Sequence, residues 1–239
     1  MLKRWMCMAM AACLSAVPAW ADEPAAQVTV GITRIELPVP EGFVEPTRAL
    51  PQTRTLGERL TPPANRLLAF FLHRDDVQRM QTGQPPLMQR YFMAQTLRQA
   101  EDMLIAQDQF DQVRATLRDQ YRSLLSQVGP QVQGQLDATA RDMGREAGVE
   151  SLSLKIGELK GLEVFDDRPG SISLLAATRY VVELEGSKRE IPMAMSITTA
   201  IFKGRLVYFY AYAVYQSAAD LDWLRTVTRD WLPLAVAAN

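Results

Sequence analysis

Residues 171–215 read SISLLAATRYVVELEGSKREIPMAMSITTAIFKGRLVYFYAYAVY. Three runs, Ser171 to Leu184, Arg189 to Phe202 and Arg205 to Tyr215, are rich in β-branched and aromatic residues, and only Glu185-Gly186-Ser187-Lys188 and Lys203-Gly204 separate them. Connections this short cannot carry the crossover that parallel neighbours require, so the three runs form an antiparallel meander. Downstream, Ser217 with Asp220 three residues on is a capping-box-like helix start. Leu221, Leu224, Val227 or Thr228, Trp231 and Leu234 or Ala235 then supply an apolar stripe. Such a helix must lay its stripe on a sheet face, which makes the expected class α+β, an antiparallel sheet with a C-terminal helix packed on one face.

Upstream of the meander, Val28, Val30, Ile32, Ile35 and Leu37 predict a strand over 28–37 that Pro38 and Pro40 close, with a turn through Gly42. Leu50, Leu56 and Leu60 suggest a short broken helix. Arg66 to His73 and Gln89 to Leu97 are compact apolar runs of strand length, with a short helical pattern over 74–80 between them. The middle of the chain changes period. Met103, Ala106, Phe110, Val113, Leu117, Tyr121 and Leu124 recur every three or four residues, predicting a long amphipathic helix over about 99–127. Gly129 then reads as its stop and Pro130 as the start of a second helix, with Val132, Leu136, Ala140, Met143 and Ala147 on one face until Gly148. The expectation is therefore a helical hairpin inserted at about 99–147. Its Gln-, Asp- and Arg-rich outer surface reads as a solvated face, with a coiled-coil partner as the alternative. Short strands return at Leu152 to Ile156 and at Leu162 to Phe165, the second ended by Asp166-Asp167-Arg168-Pro169-Gly170.

The segment Ile35-Glu36-Leu37-Pro38-Val39-Pro40-Glu41-Gly42-Phe43, a strand running into a Pro-x-Gly-aromatic turn, together with the closing three strands and final helix, resembles the Mog1/PsbP-like fold, including its exported bacterial members of the DcrB type. The resemblance implies a non-catalytic accessory or binding domain and carries over no catalytic residue.

The amino terminus speaks to location. Lys3 and Arg4 precede an apolar run from Trp5 to Val17, and Ala19-Trp20-Ala21 is the small-x-small pattern of signal peptidase cleavage. Residues 1–21 are thus expected to be a signal peptide removed after Ala21, leaving 22–239 as a single α+β domain, periplasmic or secreted, without stable membrane insertion. Both cysteines, Cys7 and Cys13, fall inside that segment, so the exported form would carry no disulfide, thiolate nucleophile or thiolate metal site. With 48% hydrophobic residues and a formal net charge of −1, the chain belongs to neither the disordered nor the low-complexity classes. No Lys/Arg run longer than two occurs, which argues against a nucleic-acid partner.

Few residues point to chemistry. His73 is the only histidine, and no Gly-x-Ser-x-Gly elbow accompanies it. The acidic pairs Asp75-Asp76 and Asp166-Asp167 lack the alternate spacing of a calcium loop and read as turns or caps. Neither a phosphate-binding loop nor a dinucleotide fingerprint is present, and no cofactor is expected. The distinctive feature is Tyr208, Tyr210 and Tyr212 at period two, with Phe209, Ala211, Ala213 and Tyr215 on the other face of the strand. These three tyrosines are the partner-binding candidates, because a tyrosine ring buries large area while offering a hydroxyl. The competing reading covers the strand on both sides, with the terminal helix on one face and the helical insertion on the other. The functional expectation is an exported accessory protein that binds another protein or an envelope component without catalysis. An immunity protein against a toxin delivered to the periplasm and a hydrolase using paired carboxylates are the alternatives.

Overall fold

The computed structural model describes residues 25–148 and 151–239. The expected signal peptide, its cleavage site and both cysteines lie outside the described residues, as do the side chains of Met143 and Ala147. In chain order the elements are β1 (Ala25–Val30), β2 (Thr33–Pro38), β3 (Phe43–Val44), α1 (Pro51–Leu60), β4 (Asn65–His73), α2 (Arg74–Gln81) and β5 (Arg90–Leu97). Then follow α3 (Gln107–Ala147), β6 (Leu152–Ile156), β7 (Lys160–Arg168), β8 (Ser171–Leu184), β9 (Ser187–Phe202), β10 (Arg205–Val214) and α4 (Ala218–Ala237). The result is the α+β architecture that the meander implies.

Strands β3-β4-β5-β10-β9-β8-β6 lie side by side in that order, with β7 pairing β8 further along the same edge, and every pairing is antiparallel. Two tight turns set the register of the meander. Glu185-Gly186 and Lys203-Gly204 each hold both central residues at positive φ, the mirror-image turn whose twist matches the flanking strands. Tyr208, Tyr210 and Tyr212 therefore pair with Thr199, Ile197 and Met195, and side chains alternate strictly between the two faces.

One face carries α4 and the separate β1–β2 hairpin. Phe71, Phe92, Phe209 and Ala211 are buried there against Leu224 and Trp231. Trp231 is the centre of this layer, 3% exposed, with its ring 3.7 Å from Phe209 at an interplanar angle of 4° and its Nε1 donating to Pro38 O at 2.8 Å. Ser217 caps α4 by accepting from Ala219 N, while Asp220 accepts from Ser217 N, as the sequence predicts. The other face carries α1 and α3. Gly57 lets α1 approach, because a Cβ there would stand 2.7 Å from a Leu67 methyl and 3.1 Å from the Phe70 ring.

Three expectations are corrected. The stretch 28–37 is two strands, because Gly31 at φ 56° turns the chain through Ile32 and pairs Val30 with Thr33. Residues 101–105 are not helical. Ile105 N instead donates to Gly204 O, tying the segment to the β9–β10 turn, and α3 begins only at Gln107. The insertion is also a single helix rather than a hairpin, running through Gly129 and Pro130. Leu125 and Leu136, both buried, explain why. Eleven residues apart at about 100° each, they differ by only about 20° around the axis, so the stripe stays in phase across the proline. Both halves meet strands on the same edge of β8, first β7 and then β6. The proline removes one helical hydrogen bond, and contacts on either side hold the register. Arg114 and Arg118 pair with Asp167, Tyr121 Oη donates to Leu162 O, and Gln133 bridges Leu154 O and Ile156 N. Gln135 Nε2 and Thr139 Oγ1 both donate to Arg59 O at the end of α1. Among the described residues no helix is long and apolar enough to cross a membrane.

Candidate functional site: the tyrosine face

Period two in β10 sends Tyr208, Tyr210 and Tyr212 to the α1/α3 side of the sheet and Phe209, Ala211 and Ala213 to the α4 side. Tyr215 lies past the end of the strand and is exposed. The three tyrosines are each half-buried. Their rings succeed one another at 6.3 Å and 6.1 Å, and Tyr91, paired with Tyr212 across β5, stacks on it at 4.5 Å and 12°. Tyr180 from β8 completes the group, its phenol influencing those of both Tyr91 and Tyr212.

The surroundings of these rings grade along the strand. Tyr212 packs against two apolar clusters, one under α1 with Phe70, Leu72 and Met93, the other under α3 with Leu125, Leu174 and Met195. Its hydroxyl is pushed well above the ordinary phenol value by burial, reinforced by Tyr91, Tyr180 and Tyr210. Tyr210 is raised likewise by burial, with Tyr208 adding and a hydrogen bond with Asn65 offsetting part. Burial pushes Tyr180 up to about 12. Tyr208 is raised by burial alone. It belongs to neither apolar cluster, which makes it the member of the ladder whose ring is least committed to the core. Beside these rings the floor turns polar, where Asn65 Nδ2 donates to Gln95 Oε1 at 2.8 Å and Gln95 lies opposite Tyr208.

No family model matches this chain, and comparison with curated proteins gives no match either.

The residues considered for chemistry have structural employment. His73 ends β4 and caps α2, its Nδ1 accepting from Asp75 N at 3.3 Å, with its ring edge-on to Phe43. Asp76 accepts from Leu87 N and Met88 N, closing the loop before β5. Asp166 is clamped by Arg168, and Asp167 holds α3 through Arg114 and Arg118. Two members of the tyrosine group, Tyr91 and Tyr180, escape sequence reasoning. Each sits at the right alternation in its own strand, but only the β5–β10 and β8–β9 registers bring them to the ladder.

Proposed function

We propose that this chain is an exported accessory protein that acts by binding a protein partner through the tyrosine face, without catalysis. The observation that carries the reading is the graded ladder, in which Tyr212 and Tyr210 are anchored in core clusters while Tyr208 keeps a half-buried ring beside the Asn65–Gln95 amide pair. Aromatic rings held rigidly from below, with polar groups alongside, supply area and hydrogen bonding at low entropic cost, which is how binding hot spots are built. Export rests on the Lys3-Arg4 region, the apolar run and Ala19-Trp20-Ala21, and the partner would then be an envelope protein. The Mog1/PsbP-like resemblance of residues 35–43 and of the closing strands and helix is in keeping with an accessory role.

Site-specific photocrosslinking in the producing cell tests the proposal. A photoreactive phenylalanine at position 208 should yield one discrete adduct, and the same group at Asp222, exposed on α4, should yield none. Equal labelling from both positions, or none from 208, refutes the tyrosine face as the contact.

A further inference from the structure

We propose that the open edge of β9 over residues 187–191 pairs with the same edge of a second copy of this chain, joining the two sheets antiparallel about a two-fold axis at Arg189. β9 outruns its neighbour. Its pairing with β10 ends where Val214 meets Met193 and Tyr215 N donates to Pro192 O at 2.8 Å. Gln216 N and Ser217 N then donate to Asp220, and the chain leaves the sheet for α4. Pro192 has no N–H to return the last bond, so the proline ends the ladder within the chain. On its other side β9 stays paired with β8 as far as Ser187. An arm about 17 Å long thus stands beyond the end of β10 with one side open. Backbone groups alternate in direction along a strand. Because Pro192 O faces β10, the N–H and C=O of Lys188 and Glu190 face the open side, where no group among the described residues pairs with them.

The order of charges along the arm selects a second copy and sets its register. Settings that face Lys188 with its own copy, or Glu190 with its own copy, oppose like charges. Centring on Arg189 instead sets Lys188 of each copy opposite Glu190 of the other, which closes four backbone hydrogen bonds and two cross-strand ion pairs. Lysine on an edge strand usually keeps other strands away, but in this register it meets a glutamate. The β8–β9 register puts Arg179 and Glu183 on the same face as Lys188 and Glu190, and Glu190 lies 3.1 Å from Arg179 and 3.4 Å from Lys188, so the face is balanced and two copies can abut without net repulsion. Exposed apolar residues fall where the two copies would meet. Leu184, 42% exposed, stands at the tip of the arm, and Tyr215, 38% exposed, stands where β10 ends, the place that the other copy's tip would reach. Arg189 alone opposes the pairing, because it faces its own copy across the axis, and this keeps the dimer weak. The surface is independent of the tyrosine face.

Sedimentation velocity of the purified protein over a range of concentrations tests the pairing. The proposal expects a reversible dimer, weakened about tenfold or more by Lys188→Glu, which sets acid against acid in both ion pairs, and restored when Glu190→Lys is added, which exchanges the two charges. Arg189→Thr should tighten the dimer by removing the like pair at the axis. Residues 188–190 are exposed, so the melting temperature should hold in every variant. As a second readout, Arg189→Cys, with Cys7 and Cys13 changed to Ser, should form a disulfide-linked dimer on mild oxidation, because directly facing Cα atoms at such a position lie about 4.5 Å apart. Asp222→Cys, exposed on α4, should not. A chain that stays monomeric up to about 1 mM, a dimer indifferent to Lys188→Glu or not restored by the exchanged pair, a looser dimer with Arg189→Thr, or equal crosslinking from position 222 overturns the proposal.

Discussion

Replacing Trp231 by alanine removes an indole that α4 shares with the sheet. The ring lies flat on Phe209 at 3.7 Å, meets Phe202 edge-on at 6.4 Å, and donates from Nε1 to Pro38 O, so three elements lose contacts at once. Truncating a buried tryptophan typically costs about 3–5 kcal/mol, and leaving the Pro38 carbonyl without its donor adds about 1 kcal/mol. Trp223 is the internal control. It lies eight residues earlier, about 80° around the helix, half-buried over Phe43 and Phe92 and beneath the Arg90 guanidinium at 4.3 Å. Its truncation should cost about 1–2 kcal/mol, because the ring already meets water and its half-buried cation–π partner Arg90 keeps its ion pair with Asp220. Urea denaturation followed by far-ultraviolet circular dichroism measures both without relying on the deleted fluorophore. Followed by the same signal in a thermal scan, a chain of this size should lose roughly 10–20 °C in midpoint for Trp231→Ala, about three times the fall for Trp223→Ala. Equal midpoint shifts would refute the placement of α4 on the sheet.

The tyrosine group makes the fold sensitive to alkali. Tyr91, Tyr180, Tyr208, Tyr210 and Tyr212 have phenols raised by burial, so the stability they contribute is intact below the unfolded value of about 10 and is lost as pH climbs through the folded values. Tyrosinate absorbance should therefore rise late and together with unfolding, and reversible titration of all seven tyrosines near pH 10 in a folded chain would contradict the packing. Continuity of α3 is measurable by spin labels at Asp119→Cys and Arg141→Cys, with Cys7 and Cys13 changed to Ser. A single helix places these positions about 33 Å apart, and a hairpin brings them far closer. If residues 1–21 act as a signal peptide, amino-terminal sequencing of the protein recovered from the producing cell should begin at Asp22, and a product that retains Met1 in the membrane fraction rejects that reading.

How much could be read in advance follows from how local each determinant is. The β8–β10 meander and the start of α4 were legible because turns such as Lys203-Gly204 and the Ser217/Asp220 cap act within four residues. The β1–β2 turn was hidden because Ile32, apolar and in phase with Val28 and Val30, continues a strand pattern, and only Gly31 betrays the bend. Gly129-Pro130 has the local chemistry of a helix boundary, yet burial of Leu125 and Leu136 against two consecutive edge strands overrides it. Met103 is apolar at helical spacing, but its carbonyl is held by Arg205, a hundred residues away, and its side chain points to solvent. The candidate site divides the same way. Tyr208, Tyr210 and Tyr212 share a face by alternation alone, whereas Tyr91 and Tyr180 join them only through long-range register.

The proposal that the tyrosine face binds a partner is tested most directly by measuring capture of the crosslinked partner and the unfolding curve on the same preparation of Tyr208→Ser. Tyr208 belongs to neither cluster beneath the helices, so the substitution should lower stability by only about 1–2 kcal/mol, against about 3–5 kcal/mol for Tyr212→Ser. Tyr208→Ser should remain folded and lose capture. Capture that persists at the wild-type level, or that falls only in proportion to the unfolded fraction, would contradict it and return the ladder to the core.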